Sequence, residues 1–392
     1  MMSIAIVVAA FNRPSSLVRL LKSITRAEYP AGGVPLVISI DYQDSVQHRD
    51  VVAIAKNFEW THGEKRIIEH QQNLGLRKHI LSCGCLTEIY PAVIVLEDDI
   101  YVSKQYYNYA CRMLEAYGND DRIAGISLYS HEWNQFANRP FIPEPCQYDV
   151  YLLQLAKSWG QCWNTRMWDG FYRWYKENET RKIEGKDVPR IVANWPASSW
   201  LKYHITYTIR TNKYFVYPYY SLSTNFSEMG VHHALFSNSF QVVLRDVSGQ
   251  YRLPSFDNAT KYDAFFERDG LEEVLGLNKT DLSIDLYGCK EDINTRYLLT
   301  TQRLPFNVLA SYGLHLRPHE LNIVHAISGD DIFLYDTSIH VDLQKKKGET
   351  SKLLLYDYKN LGVRKLICLF KLGLKEKLFS GRKCMQVFRS KR

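Results

Sequence analysis

From Ile4 to about residue 130 the chain alternates short, branched apolar runs with segments of helical periodicity, and nearly every apolar run ends on a polar residue. Ile4–Ala10, Leu36–Ile40, Arg66–His70, Ala92–Leu96 and Ile123–Leu128 read as strands, the first rich enough in Val, Ile and Ala for a strand buried on both faces. Leu17, Leu20, Leu21 and Ile24 recur at helical spacing behind Asn12-Arg13-Pro14. Val51–Phe58 and Leu76–Glu88 read as further helices, and Ser103 is placed to cap a helix through Tyr117. Repeated β-α-β order implies a parallel sheet with right-handed crossovers, in which ligands lie at the carboxyl ends of the strands. Asn12, Arg13, Asp41, Asn73 and the triplet Glu97-Asp98-Asp99 all fall at or just after such ends. The expected fold class is therefore α/β, with the polar chemistry gathered on one edge of the sheet.

The remainder of the chain is less periodic. Residues 131–250 are rich in Trp and Tyr, with Phe215–Ser223 as a returning strand. Residues 251–345 mix short helices (Tyr262–Glu267, Leu271–Leu275) with strand-like pieces (Asn322–Ala326, Ile332–Tyr335) and read as an α+β extension. Lys345–Lys347 and Gly348 mark a linker, so residues 346–392 form a separate tail. The net charge of +7 belongs to that tail. Ten basic residues against one acid give Leu361–Arg392 +9, and the other 39 basic residues against 41 acids give −2. Phosphate-backbone binding needs cations clustered on the contact face, so no nucleic-acid partner is expected for this body. Val363, Leu366, Ile367, Phe370, Leu374 and Leu378 form one stripe, with Arg364, Lys365, Lys371 and Lys375 off it. That is the pattern of a helix lying in the interface of an anionic membrane.

Several classes are disfavoured. No apolar run approaches the roughly 20 residues of a membrane span. Ile4–Ala10 lacks a basic n-region and a cleavage site, so it reads as a strand and not a signal peptide. The eight Cys show no C-x-x-C pair and no zinc spacing, and are expected to be free cytosolic thiols. G-x-x-x-x-G-K-[ST], G-x-G-x-x-G, H-E-x-x-H and G-x-S-x-G are all absent.

The acidic triplet carries the most chemistry. Consecutive carboxylates at a strand end repel one another unless a cation or hydrogen-bond donors neutralise them. Hard divalent ions, Mg²⁺ or Mn²⁺, take carboxylate oxygens and share their sphere with substrate phosphates. Asn12-Arg13-Pro14 provides a cation and a helix N-terminus for an anion. Plain strand-to-helix turns account for the same residues if no ligand binds.

Ile6–Arg13, Ile38–Asp41, Asn73–Leu76 and Val95–Asp99, in that order, resemble the signature of GT-A nucleotide-sugar glycosyltransferases. The bacterial family-2-like enzymes and the N-acetylglucosaminyltransferase I type are the nearest in pattern. The resemblance covers residues 3–130 well and reaches more weakly to about 240. It implies a GT-A fold, a Rossmann-like, mostly parallel sheet flanked by helices. Residues 1–130 would form the donor-binding core and 131–250 the acceptor side. It further implies that Asn12, Arg13 and Asp41 contact the nucleotide, that Glu97 and Asp98 lie at the ribose and diphosphate, and that Asp99 binds Mn²⁺ or Mg²⁺. Asn73 stands where the animal enzymes use a His. Ser158–Trp163 resembles the Trp- and Gly-rich acceptor segment, with Trp163 as a sugar platform. Gly230-Val231-His232-His233 resembles the loop that closes over the diphosphate, assigning His232 to the nucleotide and His233 to the metal. The family's Trp-Asp-Asp-Trp base segment is replaced near Asn194–Trp200, which has no acid, leaving Asp169 and Glu132 as stand-in bases. The resulting expectation is an inverting transferase. It would move a sugar from a nucleotide diphosphate sugar, expected to be a UDP-sugar, to a glycan or lipid-linked acceptor in surface polysaccharide or lipopolysaccharide synthesis. The enzyme would sit on the inner face of the cytoplasmic membrane. A sugar-nucleotide nucleotidyltransferase would want a Gly-rich loop where Phe11–Ser16 has none; a non-catalytic glycan- or membrane-binding protein would not need Glu97–Asp99.

Overall fold

A computed structural model describes residues 4–226, 240–291, 293–342, 349–358 and 361–374. The first stretch builds β1 (Ile4–Ala10), α1 (Pro14–Thr25), β2 (Leu36–Ile40), α2 (Val46–Asn57), β3 (Lys65–Glu69), α3 (Gly75–Gly84), β4 (Ala92–Glu97), β5 (Ile100–Val102), α4 (Tyr106–Tyr117) and β6 (Ile123–Ser127). Then come β7 (Trp133–Asn134), β8 (Arg139–Pro140), β9 (Val150–Leu153), β10 (Gln161–Asn164), α5 (Thr165–Asn178), α6 (Arg190–Ala193), α7 (Trp200–Arg210), β11 (Tyr214–Pro218), β12 (Ser223–Asn225) and β13 (Lys261–Tyr262). The last stretch holds α8 (Leu271–Leu275), β14 (Leu282–Asp285), β15 (Tyr297–Thr300), β16 (Phe306–Tyr312), α9 (Leu321–Val324), β17 (Ile332–His340) and α10 (Glu349–Asp357).

One nine-stranded sheet dominates, in the order β13-β9-β11-β6-β10-β4-β1-β2-β3. β4, β1, β2 and β3 run parallel, β10 is antiparallel to both neighbours, and β11 runs parallel to β6. The expected α/β class with a mostly parallel sheet is borne out. Every residue of β1 and β2 is buried, as central strands require when helices cover both faces; the one polar member, Ser39, bonds buried His79 (2.8 Å). α1 opens on Pro14, whose missing N–H costs nothing in the first turn. Ser45 Oγ caps α2 by accepting from His48 N (3.1 Å), and Asn164 caps α5 by accepting from Met167 N (3.0 Å). At Gly84 a Cβ would meet the Trp168 ring at 2.2 Å, so α3 and α5 approach closely only because that position is Gly.

Two local expectations are corrected. Tyr262–Glu267 is not a helix: Tyr262 belongs to edge strand β13, and Asp263 Oδ1 then accepts from Phe265 N (2.8 Å) and Glu267 N (2.9 Å), closing a turn that competes with helix formation. Asn322–Ala326 is not a strand: α9 forms there, and the Asn322 amide bonds His315 N, Leu316 N, Leu316 O and His319 O, each at 2.9 Å. The central sheet thus takes its last strand from beyond residue 250. A second sheet, β14-β15-β17-β16, has its own small core. It is joined to the first part through Arg139, which pairs with Asp357 (2.6 Å) and donates to Leu286 O (2.9 Å). The expected linker at 345–348 lies outside the described residues. None of the seven cysteines among the described residues is in a disulfide, and no described helix is long and apolar enough to cross a membrane.

Candidate functional site

The parallel registers bring the carboxyl ends of four strands level. Ala9 pairs with Glu97, Ala10 with Ile40 and Ile40 with Glu69. Asn12, Arg13, Asp41, Asn73 and Glu97–Asp99 therefore share one edge. Arg13 sits between the two terminal acids: its guanidinium contacts Asp98 Oδ1 and donates to Asp99 Oδ2 at 3.0 Å. Burial opposes the Arg13 charge, but Asp98 and Asp99 outweigh it and raise its pKa. Burial pushes the Asp98 carboxyl up to about 6, against the pull of Arg13. Burial, with Asp99 adding to it and Arg13 opposing, pushes Glu97 up to about 8.

The neighbouring loops are laced to one another. Asn12 Nδ2 donates to Gln43 Oε1 (2.6 Å) and Asn73 Nδ2 to Tyr42 O (2.8 Å). Asp41 accepts from Leu74 N (2.8 Å) on Oδ1 and from Gly75 N (3.0 Å) on Oδ2. Its oxygens thus hold the entry to α3, where Gly75 takes a φ of +73° that favours glycine. Arg77, in the first turn of α3, donates to Ala197 O (2.8 Å) and Tyr203 Oη (3.2 Å).

A buried group not singled out in the sequence lies beside Glu97. Lys157 is 5% exposed; burial lowers its pKa to about 7, with Glu97 opposing. Its Nζ donates to Gln135 Oε1 (2.9 Å) and lies 3.8 Å from the centre of the Trp159 ring. Buried His131 is held neutral, its pKa lowered well below the usual value by burial and then by the Lys157 charge. The one signal for Lys157 is its place directly before Ser158–Trp163. Within that segment the aromatic roles differ from expectation. Trp163 is 0% exposed and packed against Trp168 and His204, because it points into the core from β10. Trp159 is the partly exposed ring, edge-on to Tyr129 at 4.7 Å and beside Phe240 at 4.8 Å.

The two stand-in bases part company. In β10, Gln161 pairs with Val95 and Ser127, so β4 and β6 end at one edge, and exposed Glu132 follows β6 there. Asn164 pairs with Ala92, at the other end of β4, and α5 starts from it. Asp169 on α5 is therefore carried to the opposite edge and is not brought together with the acids. His232 and His233 lie outside the described residues.

As to a metal, Asp98 Oδ2 and Asp99 Oδ1 are buried and have no hydrogen-bond partner. They are oxygen donors of the kind a hard divalent ion takes, and so fit Mn²⁺ or Mg²⁺. Among the described residues no three His, Cys, Asp or Glu side chains form a ready metal cluster. Taken together, the fold and site define an α/β protein with paired acids and a cation at the carboxyl edge of its parallel strands.

Solved structures similar to this chain include S. aureus TarS in complex with UDP-GlcNAc (14% identity, TM-score 0.38, 59% of this chain and 60% of that one). Also similar is the mannosyltransferase PcManGT from Pyrobaculum calidifontis in complex with GDP-Man and Mn²⁺ (11%, TM-score 0.32, 44% and 46%). GalNAc-T7 with UDP, GalNAc and Mn²⁺ is a third (11%, TM-score 0.37, 56% and 43%). The likenesses are partial, and the match spans about three fifths of the length of the TarS chain. No family model and no curated protein matches the chain.

Proposed function

We propose that this protein is a metal-dependent, inverting glycosyltransferase that moves a sugar from a nucleotide diphosphate sugar, a UDP-sugar, to a glycan or lipid-linked acceptor in surface polysaccharide or lipopolysaccharide synthesis. The observation that carries the reading is the Arg13–Asp98–Asp99 cluster at the ends of adjacent parallel strands, with two buried carboxylate oxygens unpartnered. Asp99, with Asp98 beside it, would hold a divalent ion, whose charge would stabilise the leaving diphosphate. Arg13 neutralises the acids and offers its guanidinium to phosphate. The Asn12–Gln43 and Asn73–Tyr42 ties shape the nucleotide side, and Asp41 fixes the loop between them. Trp159, backed by Lys157, presents a ring to a sugar. Glu132 is the base that takes the acceptor hydroxyl proton.

The tail supports attachment to the inner face of the cytoplasmic membrane. Residues 363–374 are helical, and Val363, Leu366, Ile367, Phe370 and Leu374 are 45–72% exposed beside Arg364, Lys365 and Lys371. A donor screen with Mn²⁺ that reads nucleoside diphosphate release tests the proposal. Release from at least one nucleotide sugar, lost in Asp99→Ala, supports it; no release from any donor contradicts it.

A further inference from the structure

Buried Lys157 carries more hydrogen-bonding capacity than the protein around it uses. An ammonium has three N–H donors and no acceptor. Among the described residues, Lys157 Nζ meets one hydrogen-bond acceptor, the neutral Gln135 Oε1 (2.9 Å), and pairs with no carboxylate. Other lysines withdrawn from solvent are better met. Lys202 donates to Ala193 O (2.7 Å) and Trp195 O (2.9 Å), and half-buried Lys290 pairs with Asp263 (2.6 Å). Gln135 Nε2 is also buried without a partner. Both residues are fixed from behind. Asn134 Oδ1 accepts from Phe136 N (2.9 Å) and Ala137 N (3.3 Å), closing the turn that holds Gln135, and Gln161 Nε2 bonds Lys157 O. The unused capacity is all donor, so an oxygen acceptor completes it.

The sheet order says where that oxygen comes from. The strands run β6-β10-β4-β1-β2-β3 across the site. Asn12, Gln43 and Asn73 follow β1, β2 and β3, and the acids end β4. Lys157 leads into β10, whose Gln161 pairs with Val95, and Gln135 lies in the turn after β7. A nucleotide sugar with its nucleoside over β1–β3 and its diphosphate at the acids therefore extends its sugar toward Lys157. Glu97 acts on the Lys157 charge, yet no ion pair joins them. A hydroxyl that accepts from one group and donates to another spans partners roughly 5 Å apart, a separation too long for an ion pair. The Trp159 ring, 3.8 Å from Nζ, keeps water from one side of the ammonium.

We infer that Lys157, with Gln135, selects the sugar that is transferred, by donating to a ring hydroxyl of the donor that in turn donates to Glu97. This rests on the transferase reading above. A sugar with that hydroxyl missing or inverted leaves buried donors unpaired, which is where discrimination between close analogues comes from. The test is isothermal titration of UDP, UDP-glucose, UDP-galactose, UDP-GlcNAc and UDP-GalNAc, with Mn²⁺, into the intact chain and its Lys157→Met variant, which keeps the stem and loses the ammonium. Wild-type affinities for the four sugars are expected to span about tenfold or more. In Lys157→Met the span should narrow to within about twofold, with UDP affinity unchanged. Gln135→Leu should narrow it in the same direction, and decides the matter if Lys157→Met does not bind UDP. A span that persists in the variants, or a wild type that binds all four sugars alike, overturns the inference and leaves the transferase reading standing. Failure of the wild type to bind UDP strikes the transferase reading itself.

Discussion

Arg13 holds two carboxylates that burial alone would leave in conflict. Asp98 is only 3% exposed in its side chain, so removing the guanidinium strands a buried charge. Arg13→Met is expected to lower stability by about 1–3 kcal/mol in urea unfolding, the low side of a broken buried pair because Arg13 is partly exposed. Asp98→Asn in the same chain should recover part of the loss; strictly additive losses would show the two are uncoupled. His204 shows the opposite case, a buried polar residue with nothing to bind. It is 0% exposed, its ring nitrogens lack partners, and it stacks on Phe171 at 4.0 Å. Burial lowers its pKa from 6.5 to about 3. Between those values the unfolded chain binds the extra proton, so stability falls as pH drops through that window. His204→Phe should lose stability less steeply than the wild type from pH 6.5 downward, as read by thermal unfolding across pH. An unchanged slope would contradict this account of His204.

At the scale of elements, the strands β1, β2 and β4 were legible because burial on both faces leaves runs that are apolar or nearly so, and the polar residues after each run marked the carboxyl edge of the sheet. The placing of Arg13, Asp98 and Asp99 together on that edge was legible with them. Lys157 and Gln135 were not, because their contact joins two aperiodic loops across the sheet, and no spacing encodes it. Trp163 and Trp159 look alike in sequence; only the β10 register decides which ring enters the core. Tyr262–Glu267 and Asn322–Ala326 misled because single Asp and Asn side chains, bonding nearby backbone, outweigh short-range apolar pattern. The same β10 register sorts the acids: Glu132→Gln should reduce kcat by about 100-fold or more with donor affinity unchanged, whereas Asp169→Asn should leave kcat near wild type. The reverse outcome would mean that the edge assignment is wrong.

For the molecule as a whole, the charge is unevenly divided between body and tail. A near-neutral body carries the acids and their loops, and the exposed apolar–basic helix at 363–374 extends beyond α10, which Arg139–Asp357 bolts to the body. Deleting residues 361–392 should abolish sedimentation with anionic liposomes and leave UDP affinity within about twofold, since no part of the proposed site lies in the tail. Liposome binding that survives the deletion would place the contact elsewhere. The central claim is that the Arg13–Asp98–Asp99 edge binds a nucleoside diphosphate together with a divalent ion. Isothermal titration of UDP into the intact chain, with and without Mn²⁺, tests it most directly. The account predicts binding that requires Mn²⁺ and is lost in a folded Asp99→Ala variant. Binding indifferent to Mn²⁺, or unaltered in Asp99→Ala, would contradict it.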